Sequence, residues 1–194
     1  MDKSSPEKPP TAREALDRAA WIAAALDIVA QDGIDGLRVE GLAKRLGVTK
    51  GSFYWHFKDR RDLIDAVLDN WRAGRIRDIH KQTTAEPGNE EAALRHTIEV
   101  YAAAKNRKGI SIEASIRLWA RQDANGLAVV EEVDAERLEC TRRLFLARNL
   151  PPAEAAARSA LLYAYVFGFS MMQCGRFAMD TTAAKHWIVE QIIK

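Results

Sequence analysis

Lys50, Tyr54, Trp55, His56 and Lys58 fall within nine consecutive positions, inside the stretch GVTKGSFYWHFK at 47–58. An ammonium group, a phenol and an imidazole can all donate hydrogen bonds to anionic oxygen. Ring faces and methylene stems can meet apolar atoms. Together these groups suit phosphate oxygens and base edges. A buried segment would not carry so many polar tips, so the rings must stand on a surface that meets another molecule.

The charge distribution points the same way. Net charge is only +2, but residues 38–61 hold seven basic side chains (Arg38, Lys44, Arg45, Lys50, Lys58, Arg60, Arg61) against Glu40 and Asp59. A local excess of this kind is the footprint expected where phosphate is bound. The bland alternative is a solvated basic face. Catalysis is not expected: no GxGxxG, Walker loop, HExxH or GxSxG pattern is present. His96 with Glu99, and His186 with Glu190, could share helix faces, but two such pairs read as surface pairs rather than a metal site. No metal or cofactor is expected.

Apolar residues at Leu16, Ala19, Ala20, Ala23, Leu26 and Val29 or Ala30 follow a helical period, which Gly33 ends. Thr11 and Glu14 offer a capping box before it. Helices are then expected at 39–46, 50–57 and about 60–81. Pro87 and Gly88 break the chain, and further helices fit 89–106, 109–121, 123–149, 152–178 and 181–193. No segment alternates with period two. The expected fold is all-α with about nine helices: a three-helix head with a helix-turn-helix, then a larger helical body. Residues 1–10 read as a disordered arm, 11–60 as the head and 61–194 as the body.

Within the head, Gly47 can take the left-handed conformation between two short helices, and Thr49 can cap the second. Phe53 and Phe57, four apart, should pin that helix inward with Val48. Lys50, Gly51, Ser52, Tyr54, Trp55 and His56 are then left on the outside. That is the arrangement of a helix-turn-helix whose second helix enters the major groove. Arg38 and Lys58 flank it within reach of phosphate.

The stretch GIDGLRVEGLAKRLGVTKGSFYWHFKDRRDLIDAVLDNW (33–71) resembles the DNA-binding domain of the tetracycline-repressor (TetR) family. The likeness covers roughly residues 15–72. It includes the first helix ending in DGIDGL, the alanine and Leu-Gly-Val of the turn, the YWHF block and the K-x-x-R-x-L after it. Two departures are visible. Arg38 stands where the family often has a capping Ser or Thr, and Gly51 opens the recognition helix. The resemblance implies a homodimeric transcriptional regulator, usually a repressor, bound to palindromic double-stranded DNA and released by a small ligand held in the second domain. It also implies a dimer contact through the last two helices, about 152–193.

In the body, RSALLYAYVFGFSMMQCGR (158–176) is apolar nearly all round, with Ala160, Ala164 and Gly168 in a smooth stripe. Such a helix is buried on more than one side. Tyr101, Trp119, Phe145, Tyr163, Phe167 and Met171 could line a pocket for a largely hydrophobic effector, with Arg117, Gln173 or Cys174 orienting a polar group. The same aromatic stripe also fits plain core. A regulator of this fold without any ligand, controlled by a protein partner or unregulated, is the other reading. Two distant cysteines, the absence of a leader-like N-terminus and the shortness of LLYAYVFGF (161–169) point to a cytoplasmic chain with no membrane span.

Overall fold

A computed structural model describes residues 16–102, 107–172, 176, 178 and 180–194. The expectations for the 1–10 arm, the Thr11 cap, Gln173 and Cys174 fall outside them. The described residues form helices α1 (Arg18–Asp32), α2 (Val39–Arg45), α3 (Lys50–Phe53), α4 (Arg60–Thr83), α5 (Glu90–Ala102), α6 (Arg107–Ala120), α7 (Ala124–Ala147), α8 (Pro152–Met171) and α9 (Thr181–Ile193). A single 3-10 turn, Ile34–Gly36, joins α1 to α2. The all-α expectation holds.

Aspartates start four of the helices. Asp17 accepts from Ala20 N (2.8 Å), Asp59 from Asp62 N (2.9 Å), Asp123 from Gly126 N (2.8 Å) and Asp180 from Thr182 N (2.9 Å). Each satisfies an amide that the helix itself leaves unpaired. At α4 a second bond ties down the approach, because Asp62 also accepts from Lys58 N (2.9 Å), one residue before the cap. The expected helix at 152–178 ends earlier, at Met171, where Met172 turns to an extended conformation.

Two apolar clusters fill the interior. The first gathers Trp21, Val29, Leu42, Phe53 and Phe57 from the head, Leu63, Val67 and Trp71 from α4, and Ile112, Ile116, Val129 and Val133 from α6 and α7. The second gathers Leu94, Phe145, Leu162, Tyr163, Val166 and Ile193 at the far end. The α7 helix packs on α4, α5, α6 and α8, and α6 packs on α1. The head therefore rests on the body through α1 and α4. Arg60 rivets this joint by donating Nε–H to the Leu37 carbonyl (2.6 Å) and a second guanidinium N–H to that of Ile34 (2.9 Å). No helix is long and apolar enough to cross a membrane among the described residues.

Candidate nucleic-acid interface

The turn between α2 and α3 closes in a defined way. Gly47 has φ +68, its N–H donates to the Lys44 carbonyl (3.2 Å), and Val48 N–H donates to that of Ala43 (3.0 Å). This pair of bonds is a Schellman cap, which needs the left-handed conformation at the glycine. The cap sets the angle at which α3 leaves.

Phe53 and Phe57 are fully buried and stacked, with ring centroids 5.3 Å apart. Trp21 meets Phe53 edge-on at 5.6 Å, and the Arg18 guanidinium lies 4.8 Å over Phe57. With that face pinned, Lys50, Gly51, Tyr54, Trp55 and Lys58 are exposed, Trp55 to 88%. Arg38 and Thr49 are exposed beside them.

Three local details depart from the sequence expectation. The α-helical part of α3 stops at Phe53, so Tyr54, Trp55 and His56 lie on the turn that follows. That turn keeps helical spacing through Tyr54 N to Gly51 O (3.2 Å) and His56 N to Phe53 O (3.0 Å). Thr49 sits at the N-cap, but its hydroxyl meets Ser52 Oγ (3.2 Å) instead of a backbone amide. His56 is only half-exposed, with its ring 6.2 Å from that of Trp21. A Cβ on Gly51 would have room, 3.6 Å from Thr49 Oγ1, so the chain's own packing does not require glycine there.

The basic groups divide into two sets. Arg45 reaches Asp27 (3.5 Å), Arg60 is spent on the carbonyls above, and Arg61 holds Asp123 and Asp65. Arg38, Lys44 and Lys58 make no salt bridge among the described residues. Lys50 pairs with Glu40 on α2 across the turn. That hydrogen bond raises the lysine's pKa and lowers the glutamate's. Both side chains are well exposed, so the pair is worth little as stability. Its importance is positional, because Glu40 occupies the ammonium before any other acceptor arrives. The sequence offers no signal for this contact beyond the opposite charges ten positions apart.

The residues expected around an effector are not all brought together. Phe167 and Met171 line a cleft with Arg75, Gly109, Ile110, Glu113, Val166 and Ser170. The Arg117 guanidinium lies 4.7 Å over Phe167, and Tyr163 is 6.2 Å from that ring. Trp119 packs instead on the first apolar cluster, and Phe145 is fully buried in the second. The side chain of Tyr101 lies outside the described residues. The cleft's free space is about 20 Å³, room for a water and not for a drug-sized molecule.

Under the cleft runs an ionic network. Arg137 donates to both Glu113 oxygens (2.8 Å each), and Arg117 donates to both Asp134 oxygens (2.8 and 2.6 Å) and to Glu113 (2.8 Å). Arg137 and Glu113 are buried. The Glu113–Arg117 pair is one helical turn apart and visible in the sequence; its partners on α7 are not.

The expected His186–Glu190 pair does not form, because Glu190 is taken by Arg95 (2.6 Å). His80, Glu136 and Cys140 come together instead. His80 Nε2 lies 2.6 Å from Glu136 Oε1, and the Cys140 thiol donates to the same oxygen at 3.2 Å. Burial and the neighbouring carboxylate push that thiol up to about 11, so it is no nucleophile near neutral pH.

On α8, Ala157, Ala160, Leu161, Ala164, Gly168 and Met171 are exposed, as is Trp187 on α9. A Cβ at Gly168 would meet nothing within 4 Å. Among the described residues, Ala157, Ala160, Ala164 and Gly168 stay exposed along that stripe.

Residues 22–67 match the family model described as bacterial regulatory proteins, tetR family. Over 48 residues the chain is 48% identical to the Tetracycline repressor protein class A from transposon 1721 of Escherichia coli, a match covering 25% of this chain and 22% of that protein. The match spans about a fifth of the repressor's length. The HTH-type transcriptional regulator AcrR of Shigella flexneri is 25% identical over 158 residues, 74% of this chain and 72% of that protein. A solved transcriptional regulator from Rhodococcus sp. Rha1 superposes with a TM-score of 0.72 over 91% of this chain and 94% of that one, at 19% identity. At that identity the likeness is one of fold.

Proposed function

We propose that the chain, whose residues 22–67 match the tetR family of bacterial regulatory proteins, is a sequence-specific DNA-binding transcriptional regulator of that family, acting as a homodimer on a palindromic operator. The observation that carries this reading is the exposed set Lys50, Tyr54, Trp55 and Lys58, held outward by Phe53 and Phe57. Lys50, near the start of α3, reads bases; Tyr54 and His56 hold phosphate, with Arg38 and Lys58 at the flanks. The unpartnered small-residue face of α8, with Trp187, supports a dimer contact within 152–193. It also offsets the roughly 1 kcal/mol that Gly168 costs in a helix interior.

Selection from random duplexes tests the division of labour. Lys50→Ala is expected to change the preferred sequence, since a good base contact is worth ~1–3 kcal/mol. Tyr54→Phe is expected to weaken all sequences alike. An unchanged preference in Lys50→Ala removes the base-reading role. Glu40→Gln is expected to tighten binding to every duplex, because Lys50 no longer has to leave a carboxylate.

We further propose that the regulator is a repressor released by a small, largely hydrophobic ligand near Phe167, Tyr163 and Met171, with Arg117 orienting a polar group. A cleft of about 20 Å³ must open to admit one. A ligand that binds only an opened body would shift α4 and with it the spacing of two heads. Linkage then demands that operator DNA weaken ligand binding by the factor with which ligand weakens DNA binding. Calorimetry with and without operator measures both. The same cleft, with room for little more than a water, also favours a regulator that takes no small ligand; no ligand binding in either titration would support that reading, and equal affinities would mean that ligand and DNA are uncoupled.

A further inference from the structure

His80 sits in the last turns of α4, and Glu136 and Cys140 are one turn apart on one face of α7. Their ligating atoms, Nε2, Oε1 and Sγ, all lie within 4.8 Å of one another. The backbone spacing is fixed by two long helices packed along each other. The site opens on a groove of about 510 Å³ bordered by Thr83, Thr84, Glu90 and Arg143. Arg143, which borders the groove, is turned to Glu139, 2.9 Å away.

From this geometry we infer a zinc-type metal site formed by His80, Glu136 and Cys140, with a fourth position open to the groove. An imidazole, a carboxylate and a thiolate suit a tetrahedral ion of intermediate softness; magnesium and calcium call for oxygen alone. Three protein ligands and one open position is a coordination that zinc adopts readily. At ordinary bond lengths the imidazole nitrogen and carboxylate oxygen would stand roughly 3.3 Å apart across the ion. They are now hydrogen-bonded at 2.6 Å, so a small spreading of two half-exposed side chains admits the metal. Binding exchanges protons for the ion: the Cys140 S–H breaks and its proton leaves to solvent as a metal–sulfur bond forms, and the His80 Nε2 proton, now directed at Glu136, leaves to solvent or is replaced by one on Nδ1 so that Nε2 can take the metal. The ion would then clip α4 to α7, adding to the apolar packing of Ile79 and Cys140 and to the hydrogen bonds already there.

The site stands apart from the nucleic-acid reading, and its test uses the full chain without DNA. Cobalt(II) is titrated in as a spectroscopic probe. The expected result is one ion per chain, a thiolate-to-cobalt charge-transfer band with four-coordinate ligand-field absorption, and displacement by zinc. Zinc should also raise the melting temperature, since it binds the folded chain. Cys140→Ala should abolish the band and Cys174→Ala should keep it. His80→Gln, at a side chain 55% exposed, leaves the fold intact and should weaken binding at least tenfold. No charge-transfer band in the native chain overturns the proposal. So does a band that survives in folded Cys140→Ala, or native affinity in His80→Gln.

Discussion

Raising salt from about 50 to about 200 mM is expected to weaken duplex binding by roughly 10³–10⁴. The magnitude follows from which cations are free to meet phosphate. Of the seven basic residues in 38–61, Arg45, Arg60 and Arg61 are engaged inside the protein. Arg38, Lys44 and Lys58 make no salt bridge among the described residues, and Lys50 is held only by the exposed Glu40, so two heads bring about six to eight cations to the DNA. Each neutralised phosphate contributes about 0.9 to the slope of log affinity against log salt. Two heads give a slope of about −5 to −7, and one head gives about half that, or roughly a hundredfold loss over the same range. Fluorescence anisotropy at several salt concentrations reads the slope directly. A slope near −3 would mean that one head binds alone. A flat titration would contradict the electrostatic account of this surface.

The largest stability effect is expected at Glu113. Its carboxylate takes two hydrogen bonds from Arg137, whose side chain is only 1% exposed. Glu113→Ala leaves a buried guanidinium without its buried carboxylate, beside the more exposed Asp134. Breaking a buried pair from one side costs about 3–5 kcal/mol. For a chain of this size that lowers the melting temperature by roughly 6–20 °C. Replacing both ends, Glu113→Leu with Arg137→Met, should recover much of the loss, because no charge is left stranded. Thermal unfolding of the single and double variants decides it. A single variant melting within about 2 °C of the native chain would mean that water reaches Arg137.

How far these features could be read from sequence depends on the range of the forces behind them. Asp59, Asp123 and Asp180 act on amides two or three positions away, and Gly47 acts on its own backbone, so helix order and the turn were legible. Phe53 and Phe57 were legible because four residues make one helical turn. The end of α3 at Phe53 was not, since helical spacing continues to His56 without the full bonding pattern. Contacts between helices were the least visible. Glu113 and Arg137 are 24 positions apart and look like solvated charges; only α6 and α7 packing face to face makes them a buried pair. His80 and Glu136 are 56 apart. Trp119 and Phe145 were both plausible pocket residues by type, but the two apolar clusters divide them between opposite ends of the body.

The first apolar cluster has a consequence for how such a protein can be recombined. Trp21 and Phe53 share that cluster with Ile112, Ile116, Val129 and Val133. A splice at residue 60 would therefore cut through a packed interior, and a transplanted head would meet α6 and α7 side chains selected against a different surface. Mismatched cores of this kind lose fit by voids or by overpacking. The exchangeable unit is smaller than the head: the outward residues Lys50, Gly51, Ser52, Tyr54 and Trp55, together with Glu40, make few contacts with that interior. On the proposed reading, specificity would be rewritten on this surface one side chain at a time, while the scaffold beneath is inherited whole.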